Sequence, residues 1–318
     1  MRAVIYDVYG PPDVLRLVDL PKPIPRAGEL LVAIRATSAT TGDARMRAFD
    51  IPAPFRIPGR LMLGWPKPRN PILGFEFAGD VEAVGDRVEQ FKPGDRVYGC
   101  KIYGNYADYR TIAERDAIVK MPDELAYADA AALPFGALTA LHFLRKGKVR
   151  AGQSVLIVGA SGCVGAYGIQ VAKHLGATVT AVCSGANAEF VRALGADHVL
   201  DYTKQDYTSS GSYDAILETV GATSFKACRR ILKRGGFFLN VVLSTSDLLA
   251  ALSPFKDGRR IVTGSYTTTK ADLSELNQLV LAGAIKPVID SRYTLEQIRE
   301  AHARVDTKRK RGTVIVTV

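Results

Sequence analysis

The stretch Ser154-Val155-Leu156-Ile157-Val158-Gly159-Ala160-Ser161-Gly162-Cys163-Val164-Gly165 decides the fold class of this chain. Its apolar start is typical of a strand buried on both faces of a parallel sheet. The glycines allow a sharp turn, small or apolar residues at three- and four-residue spacing then predict a helix over 164–175, and a second apolar strand follows at 178–182. A glycine turn alone could be an ordinary tight turn. Inside a βαβ unit it predicts a site where backbone N–H groups bind the phosphates of a dinucleotide.

The residues after the second strand indicate which dinucleotide is preferred. NAD sites usually place an acidic residue about 20 residues beyond the glycine turn to hold the ribose 2′-hydroxyl. Here residues 183–187 are Cys-Ser-Gly-Ala-Asn, and no carboxylate precedes Glu189. The hydroxyl of Ser184 and the amide of Asn187 could donate to a 2′-phosphate, so the sequence favours NADP. No Arg or Lys lies within this loop, and the nearest, Arg192, could be a solvated helix residue.

Composition is that of an ordinary globular protein of about two domains. The 318 residues are 47% hydrophobic and 23% charged, with no apolar run long enough to span a bilayer. The first residues do not show the pattern of a secretory signal, and the four cysteines form no CxxC pair. We therefore expect no such signal, reduced thiols, a cytoplasmic location and no membrane partner.

The net charge of +10 includes one dense basic cluster at residues 308–311. We interpret this charge as solvated surface that also attracts a polyphosphate cofactor. RNA binding stays open as the less favoured alternative.

The remaining chain has two kinds of pattern. The first third contains short strand-like runs separated by Pro and Gly turns, which suggests a compact barrel; these runs cover residues 3–8, 14–20, 30–36, 76–84 and 96–100. Residues 51–71 hold six prolines and the only tryptophan, and we predict a loop that either covers a cleft or is merely structural. From Pro122, helices (123–133, 137–144, 225–232) alternate with strands (198–201, 213–218, 237–242), which predicts a doubly wound parallel sheet with ligands at the strands' carboxyl ends. The tail predicts helices at 273–281 and 295–305 and a strand at 313–318.

Several separated motifs, in order along nearly the whole chain, resemble those of one family. They are Gly74-Phe75-Glu76-Phe77-Ala78-Gly79, residues 91–99, Ala131-Ala132-Leu133-Pro134, Leu138-Thr139-Ala140, residues 159–165, and Leu194-Gly195-Ala196-Asp197 with Asp201-Tyr202. The sequence thus resembles the zinc-free, quinone oxidoreductase-like branch of the medium-chain dehydrogenase/reductase superfamily, which includes the zeta-crystallin-like proteins. The resemblance implies an α/β fold: a GroES-like β-barrel domain (1–122 and 266–318), a Rossmann domain with a doubly wound parallel sheet (123–265), and NADPH in the cleft between them.

The resemblance also implies which residues contact the cofactor. Thr139 would approach the nicotinamide, Ser161, Gly162, Cys163 and Val164 the pyrophosphate, and Ser184, Asn187 and Tyr202 the adenosine phosphate; Val220 and Val242 would line the ribose and nicotinamide, and Arg311 could reach the cofactor. Thr139 and Tyr202 could instead be simply packed, and Arg311 solvated.

Two positions depart from the zinc alcohol dehydrogenases of the superfamily. Phe75 stands where those enzymes have a His before the Glu, and Thr40 where they have an early Cys. A phenyl ring and a hydroxyl cannot replace an imidazole and a thiolate as zinc ligands, and the four-cysteine structural lobe is missing as well. The sequence therefore predicts no metal.

We expect an oxidoreductase that transfers hydride from NADPH to a quinone or another α,β-unsaturated carbonyl. Without zinc, hydrogen-bond donors must stabilise the developing oxyanion. Thr40, with Asp43 and Arg45 nearby, is the predicted catalytic group. Asp43 could instead serve merely as a helix cap. Tyr103 or Tyr106 could line the substrate site or donate a proton.

Three matters stay open at this point. The chain could instead be a metal-free NADP-dependent alcohol dehydrogenase, or a nucleotide- or RNA-binding protein with little turnover. The resemblance also suggests a homodimer, with residues 260–266 as a candidate edge strand.

Overall fold

The structure is a computed structural model and describes residues 1–242, 244–251 and 256–318. Within these residues no helix is long and apolar enough to cross a membrane. The described strands are β1 (Arg2–Ile5), β2 (Arg16–Asp19), β3 (Glu29–Ala39), β4 (Glu76–Val84), β5 (Arg96–Cys100), β6 (Tyr109–Ala113), β7 (Ile118–Lys120), β8 (Ser154–Val158), β9 (Thr178–Cys183), β10 (His198–Asp201), β11 (Tyr213–Glu218), β12 (Leu232–Asn240), β13 (Arg260–Thr263), β14 (Ile289–Thr294) and β15 (Thr313–Thr317).

From residue 139 onward the α-helices alternate with these strands, except that a 3₁₀ turn at Tyr207–Ser209 connects β10 and β11. They are α1 (Thr41–Ala48), α2 (Arg56–Leu63), α3 (Tyr127–Ala132), α4 (Thr139–Lys146), α5 (Cys163–His174), α6 (Ala188–Ala193), α7 (Phe225–Cys228), α8 (Thr245–Ala251), α9 (Lys270–Leu281) and α10 (Ile298–Asp306). A π-helical turn at Pro134–Leu138 precedes α4.

The chain divides into two compact units. Both ends of the chain build the terminal unit, which comprises residues 1–135, 268–281 and 287–318. The central unit comprises residues 136–267 and 282–286. The division falls at 135/136 rather than at the expected 122/123, because α3 is buried through Ala130, Ala131 and Ala132 within the terminal unit, where the hydroxyl of Thr313 donates to the Ala132 carbonyl (3.1 Å). The assignment of functional domains stays a prediction.

The central unit contains a six-stranded, fully parallel sheet in the order β10-β9-β8-β11-β12-β13. Its core includes Leu156, Val158, Val182, Ile216 and Phe238, whose burial explains the continuous apolar runs in the sequence. The predicted doubly wound parallel sheet is therefore confirmed.

The terminal unit contains a seven-stranded sheet in the order β14-β15-β3-β4-β5-β7, with β6 also paired to β3. Its core includes Leu30, Val32, Ile34, Phe77 and Ile118. The long strand β3 pairs with β4, β6 and β15, so it connects residues from the two ends of the chain.

Two local predictions were wrong. Residues 51–71 are not only a loop, because α2 forms at Arg56–Leu63; its Pro58 lies in the first turn, where a missing N–H costs no helical hydrogen bond. The helix predicted at 225–232 ends at Cys228, and Leu232 already begins β12, which pairs with β11 through Leu232 and Tyr213. Pairing with a neighbouring strand overrides local helical periodicity there.

Candidate cofactor and active site

The glycine turn after β8 packs so closely against neighbouring atoms that only glycine fits at two of its positions. Gly159 has a positive φ of 77°, and a Cβ atom there would lie 2.5 Å from Val220 Cγ1. A Cβ at Gly165 would lie 2.2 Å from the Gly159 carbonyl oxygen. The turn leads directly into α5, whose N-cap Gly162 provides no side-chain cap. The start of the helix is therefore open to an anionic ligand, as expected for a phosphate-binding turn.

Three of the predicted cofactor residues come together beside this turn. The Asn187 amide donates to the hydroxyl of Ser161 (3.1 Å) and to that of Ser184 (3.3 Å). Ser161 belongs to the glycine turn, whereas Ser184 and Asn187 follow β9. One amide thus connects the two loops that were predicted to bind the pyrophosphate and the adenosine phosphate.

Val220 and Val242 lie at the same edge of the sheet. The buried Glu218 carboxylate accepts the backbone N–H groups of Val220 (2.7 Å), Gly221 (2.8 Å) and Thr223 (2.9 Å), which fixes the loop after β11. Burial raises the pKa of Glu218. The side-chain oxygen of Asn240 accepts from Val242 N–H (3.0 Å), and a Cβ at Gly221 would lie 3.3 Å from Val242 Cγ1, so the two loops are neighbours.

Thr139 begins α4, which packs beside α5. The preceding Gly136 lies so close to α5 that a Cβ would approach Tyr167 to 2.4 Å and the Cys163 sulfur to 2.7 Å. The Cys163 side chain is therefore buried against this turn, and only the backbone of Cys163 lies at the start of the helix.

Tyr202 is exposed after β10, and its backbone N–H donates to the Cys183 carbonyl (3.2 Å). The structure also reveals Asp201, which the sequence interpretation missed as a site residue because it lies far along the chain from Ser184. In the parallel register Asp201 is opposite Cys183, and its carboxylate lies against Gly185, where a Cβ would be 2.5 Å from Oδ2. Hydrogen bonds from the Thr203 hydroxyl (2.7 Å) and N–H (3.0 Å) lower the pKa of Asp201.

In the terminal unit, Thr40 and Asp43 form a reciprocal cap on α1. Asp43 Oδ2 accepts from Thr40 N–H (3.0 Å) and from the Thr40 hydroxyl (2.6 Å), and the hydroxyl in turn accepts from Asp43 N–H (3.0 Å). Asp43 Oδ1 accepts from Gly74 N–H (2.8 Å). Burial raises the pKa of Asp43 to about 6, although these hydrogen bonds act in the opposite direction.

Glu76 is a second buried acid that the sequence analysis placed in a motif without giving it a role. Its carboxylate accepts from the Ser38 hydroxyl and from Phe135 N–H (2.7 Å). Burial raises its pKa to about 8. The signal in the sequence was an acid at the start of an otherwise apolar strand.

A buried chain of polar groups continues from Asp43. The Tyr106 hydroxyl lies near Asp43, donates to the Ser38 carbonyl (3.2 Å) and bonds to His302 Nε2 (3.2 Å). Arg47 lies 3.0 Å from His302 Nδ1 and 2.7 Å from an Asp306 oxygen. Because a guanidinium only donates, Nδ1 must accept and Nε2 carries the proton. Burial lowers the pKa of His302 to about 3, consistent with a neutral ring. We call Asp43, Glu76, Tyr106, Arg47 and His302 the buried polar cluster.

The other predicted residues of this unit have different surroundings. The guanidinium of Arg45 contacts Asp50, through its carbonyl (3.3 Å) and its carboxylate (3.4 Å), at the opposite end of α1. Tyr106 is fully buried, whereas Tyr103 is half-buried with a positive φ of 75°. Arg311 is exposed, and its N–H donates to Asp290 (2.6 Å). The catalytic role of Arg45 and the cofactor contact of Arg311 stay predictions.

No group of three or more His, Cys, Asp or Glu side chains is placed to hold a metal ion in the part of the chain that the structure describes. At the two positions that would carry zinc ligands, Thr40 is used by the cap and the Phe75 ring packs on Gly42, where a Cβ would lie 2.9 Å from Phe75 Cε2. The absence of a metal stays a prediction.

Comparison with known proteins agrees with this geometry. Residues 26–123 match the family described as "Alcohol dehydrogenase GroES-like domain", and residues 194–316 match "Zinc-binding dehydrogenase". The chain is 32% identical to a 2-methylene-furan-3-one reductase of Solanum lycopersicum and 31% identical to an NADPH-dependent alkenal/one oxidoreductase of Arabidopsis thaliana; each alignment covers 99% of this chain and 79% of the relative. The structure of a quinone oxidoreductase from Coxiella burnetii superposes with a TM-score of 0.89 at 29% identity, covering 100% of this chain and 99% of that one.

A parallel sheet with a tight glycine turn, in a chain that also contains a GroES-like unit, defines the class of the two-domain dehydrogenases and reductases. Within it, this chain belongs to the quinone oxidoreductase-like branch of the medium-chain dehydrogenase/reductase superfamily. The predicted resemblance and the predicted fold class, a Rossmann domain with a GroES-like barrel, are both confirmed.

Proposed function

We propose that this protein uses NADPH to reduce quinones or other α,β-unsaturated carbonyl compounds. The observation that carries this proposal is the glycine turn with its grouped donors, in a chain similar over 99% of its length to two reductases named for conjugated carbonyl substrates. When bound, NADPH supplies the hydride. The protein supplies position, hydrogen-bond donors and the exclusion of water.

The residues around the glycine turn fit a phosphorylated dinucleotide. The close approach at Gly159 and Gly165 keeps side chains away from the phosphate position. Ser161, Gly162, Cys163 and Val164 would hold the pyrophosphate through the start of α5. By similarity, Ser184, Asn187 and Tyr202 would hold the adenosine phosphate, Val220 and Val242 the ribose and nicotinamide, Thr139 the nicotinamide, and Arg311 a further part of the cofactor.

The hydrogen bonds of the Asp201 carboxylate support the preference for NADPH over NADH. A free carboxylate in this position would repel a 2′-phosphate, but Asp201 already accepts from the hydroxyl and the N–H of Thr203. Its negative charge is therefore partly offset by two donors, while the amide of Asn187 donates to the Ser184 hydroxyl (3.3 Å) in the loop after β9.

For the proton, we propose that Thr40 donates to the oxygen of the acceptor and recovers a proton from Asp43. The Thr40 hydroxyl already lies 2.6 Å from Asp43 Oδ2, which makes transfer between them direct. With a pKa of about 6, Asp43 is protonated in a large fraction of molecules at slightly acidic pH. No metal is needed for this step, in line with the apolar Phe75 ring at the position of a zinc ligand.

The test is a comparison of NADPH and NADH oxidation with a panel of quinones, enones, aldehydes and simple ketones, with metal content determined on the same sample. We expect oxidation of NADPH by quinones or enones, at least tenfold higher kcat/KM with NADPH than with NADH, and no stoichiometric zinc. A protein inactive with every conjugated acceptor would refute the proposal. Oxidation of secondary alcohols by NADP alone would favour the metal-free alcohol dehydrogenase.

The proton step is tested with Thr40→Val and with Thr40→Ser as the conservative control. Removal of the hydroxyl should lower kcat roughly 10²-fold or more, the usual contribution of a positioned proton donor, while Thr40→Ser retains most of the activity. Turnover of the unmodified enzyme should fall as pH rises through about 6, and Asp43→Asn should remove this dependence. A pH profile unchanged by Asp43→Asn would exclude the relay.

We also propose a homodimer formed at the edge of the central sheet and a cytoplasmic location. In the described part of the chain this sheet ends in two edge strands, β10 and β13; we propose β13, next to β12, for the dimer contact, where it offers an unpaired backbone edge. Light scattering at several protein concentrations would test the dimer, and a monomer throughout would exclude it.

A further inference from the structure

Helix α2 shows its apolar side to solvent. Ile57, Pro58, Leu61 and Met62 lie on one side of the helix by their spacing, and all are exposed. On the opposite side Gly59 is buried, and a Cβ there would lie 2.8 Å from Ile51 Cδ1. A surface helix normally has the reverse arrangement, with polar residues facing water.

The exposed apolar area is contiguous and includes the only tryptophan of the chain. The exposed fractions are 77% for Ile57, 70% for Leu61, 69% for Met62 and 76% for Trp65. Single exposed hydrophobic residues are common on protein surfaces, but a contiguous group of this kind marks an interaction site. We call residues 56–69 the α2 surface.

The α2 surface is also purely basic. Between Ile51 and Phe75 the sequence contains four cations and no Asp or Glu; the cations are Arg56, Arg60, Lys67 and Arg69. Among the described residues, none of the four forms an ion pair with a carboxylate. The guanidinium of Arg60 instead lies over the rings of Phe49 (4.0 Å), Tyr9 (4.4 Å) and Trp65 (5.7 Å), beside an open cavity of about 470 Å³.

From this combination we infer that the α2 surface docks the protein onto an anionic phospholipid bilayer. Apolar side chains on one face of a short helix enter the headgroup region, an interfacial Trp lies at the same depth, and Arg and Lys interact with lipid phosphates. A second copy of the chain would bring the same four cations against each other, and RNA would gain nothing from the apolar face.

The inference goes beyond the proposed function and revises our expectation of no membrane partner, which considered only spanning segments. Docking would bring the protein to acceptors that dissolve in bilayers, such as apolar quinones. The binding experiment needs neither NADPH nor an acceptor. A protein that binds vesicles without turning over any acceptor would refute the proposed function alone, and an active enzyme that ignores vesicles would refute only the docking.

Trp65 provides the reporter for the experiment. The full chain is titrated with vesicles of equimolar phosphatidylcholine and phosphatidylglycerol, and with vesicles of phosphatidylcholine alone, while tryptophan emission and co-sedimentation are measured. We expect a blue shift of the emission and at least tenfold stronger partitioning into the anionic vesicles, with both effects reduced at high salt.

Matched variants separate the α2 surface from general properties of the protein. Leu61→Glu should weaken partitioning at least tenfold, whereas Ile24→Glu, at an isolated residue that is 85% exposed, should leave it unchanged. Lys67→Gln should weaken it roughly fivefold, whereas Arg87→Gln, which removes an exposed cation elsewhere, should not. Met62→Glu serves as a second apolar variant if Leu61→Glu does not fold.

Three results would overturn the inference. The first is no partitioning into anionic vesicles, and the second is equal loss with the α2 and control variants. The third is a blue shift that grows with protein concentration in the absence of lipid together with a higher molecular mass, which would assign the α2 surface to self-association.

Discussion

The central unit builds its site from backbone, whereas the terminal unit builds its site from buried side chains. At Gly165 the determining contact is between the absent Cβ and the Gly159 carbonyl oxygen, within one βαβ unit, whereas a Cβ at Gly159 would meet the side chain of Val220, which follows β11. In the buried polar cluster the determining contacts join Arg47 with His302, 255 residues apart, and Tyr106 with His302, 196 residues apart. A site made of backbone has a local sequence signature, while a site made of distant side chains does not.

The two sites should also fail in different ways. A change in the backbone site alters ligand affinity through sterics, whereas a change in the buried polar cluster leaves charges or donors without partners and so lowers stability. Three experiments address this difference, beginning with the largest expected effect.

Arg47→Met should lower the free energy of unfolding by about 3–5 kcal/mol, since it leaves Asp306, His302 Nδ1 and the Gly10 carbonyl without their donor. Arg45→Met is the control: it lies on the same helix but contacts only Asp50 near the surface, and should cost less than about 1 kcal/mol. Chemical denaturation measures both. An equal loss of unfolding free energy in the two variants would show that the contacts of Arg47 in the buried polar cluster add no stability. A large fall in kcat with Arg45→Met at unchanged stability would support the predicted catalytic role of Arg45.

The pH dependence of the unfolding free energy should show the raised pKa of the buried Glu76 carboxyl. Its pKa is about 8 in the folded protein and near 4.5 when unfolded, so the folded state binds this proton more tightly. The resulting stability is fully present below pH 4.5 and is lost as pH rises toward 8, by up to about 1.4 kcal/mol per pH unit. Asp43 acts in the same direction up to about pH 6. Denaturation measured at a series of pH values gives the unfolding free energy as a function of pH, and this dependence should be weaker in Glu76→Gln. A variant whose unfolding free energy varies with pH as in the unmodified protein would contradict the assignment.

In the central unit, Gly165→Ala should weaken NADPH binding at least tenfold and lower the unfolding free energy by about 2 kcal/mol, because its Cβ would lie 2.2 Å from the Gly159 oxygen. At Gly162, the N-cap of α5, the corresponding distance is 3.3 Å, and Gly162→Ala should lower the unfolding free energy by no more than about 1 kcal/mol, because Ala is a poorer N-cap than Gly. Fluorescence titration with NADPH and thermal denaturation measure these changes. Similar behaviour of the two variants would mean that close packing at Gly165 does not shape the turn.

Much of the central unit could be predicted from sequence because its elements carry local signals. The helix expected at 164–175 is α5 at Cys163–His174, and the strands expected at 154–158 and 213–218 are β8 and β11. The grouping of Ser161, Ser184 and Asn187 followed from the rule that parallel strands end at one edge. Asp201 was missed because its proximity to Gly185 depends on the pairing of β10 with β9.

The terminal unit was less predictable for physical reasons. The prolines in residues 51–71 made the segment look irregular, so α2 was not predicted. Nothing in the local sequence distinguishes the surface Arg45 from the buried Arg47 two residues later. The alternative interpretation of Asp43 as a helix cap agrees with the geometry. The same hydrogen bonds to Thr40 are also compatible with the proposed proton transfer. Burial decides the protonation of Glu76 and His302, and burial at such positions results from contacts between distant parts of the chain.

The position of β15 has a consequence for synthesis of the protein. In the sheet β15 lies between β14 and β3, so strand β3, made among the first forty residues, waits for a partner that emerges only with residues 313–317. The central unit is complete once residue 286 has been made. We therefore expect it to become protease-resistant on the ribosome first, with the open edge of β3 exposed to chaperones until residues 313–317 have been made; limited proteolysis of stalled nascent chains would reveal this order.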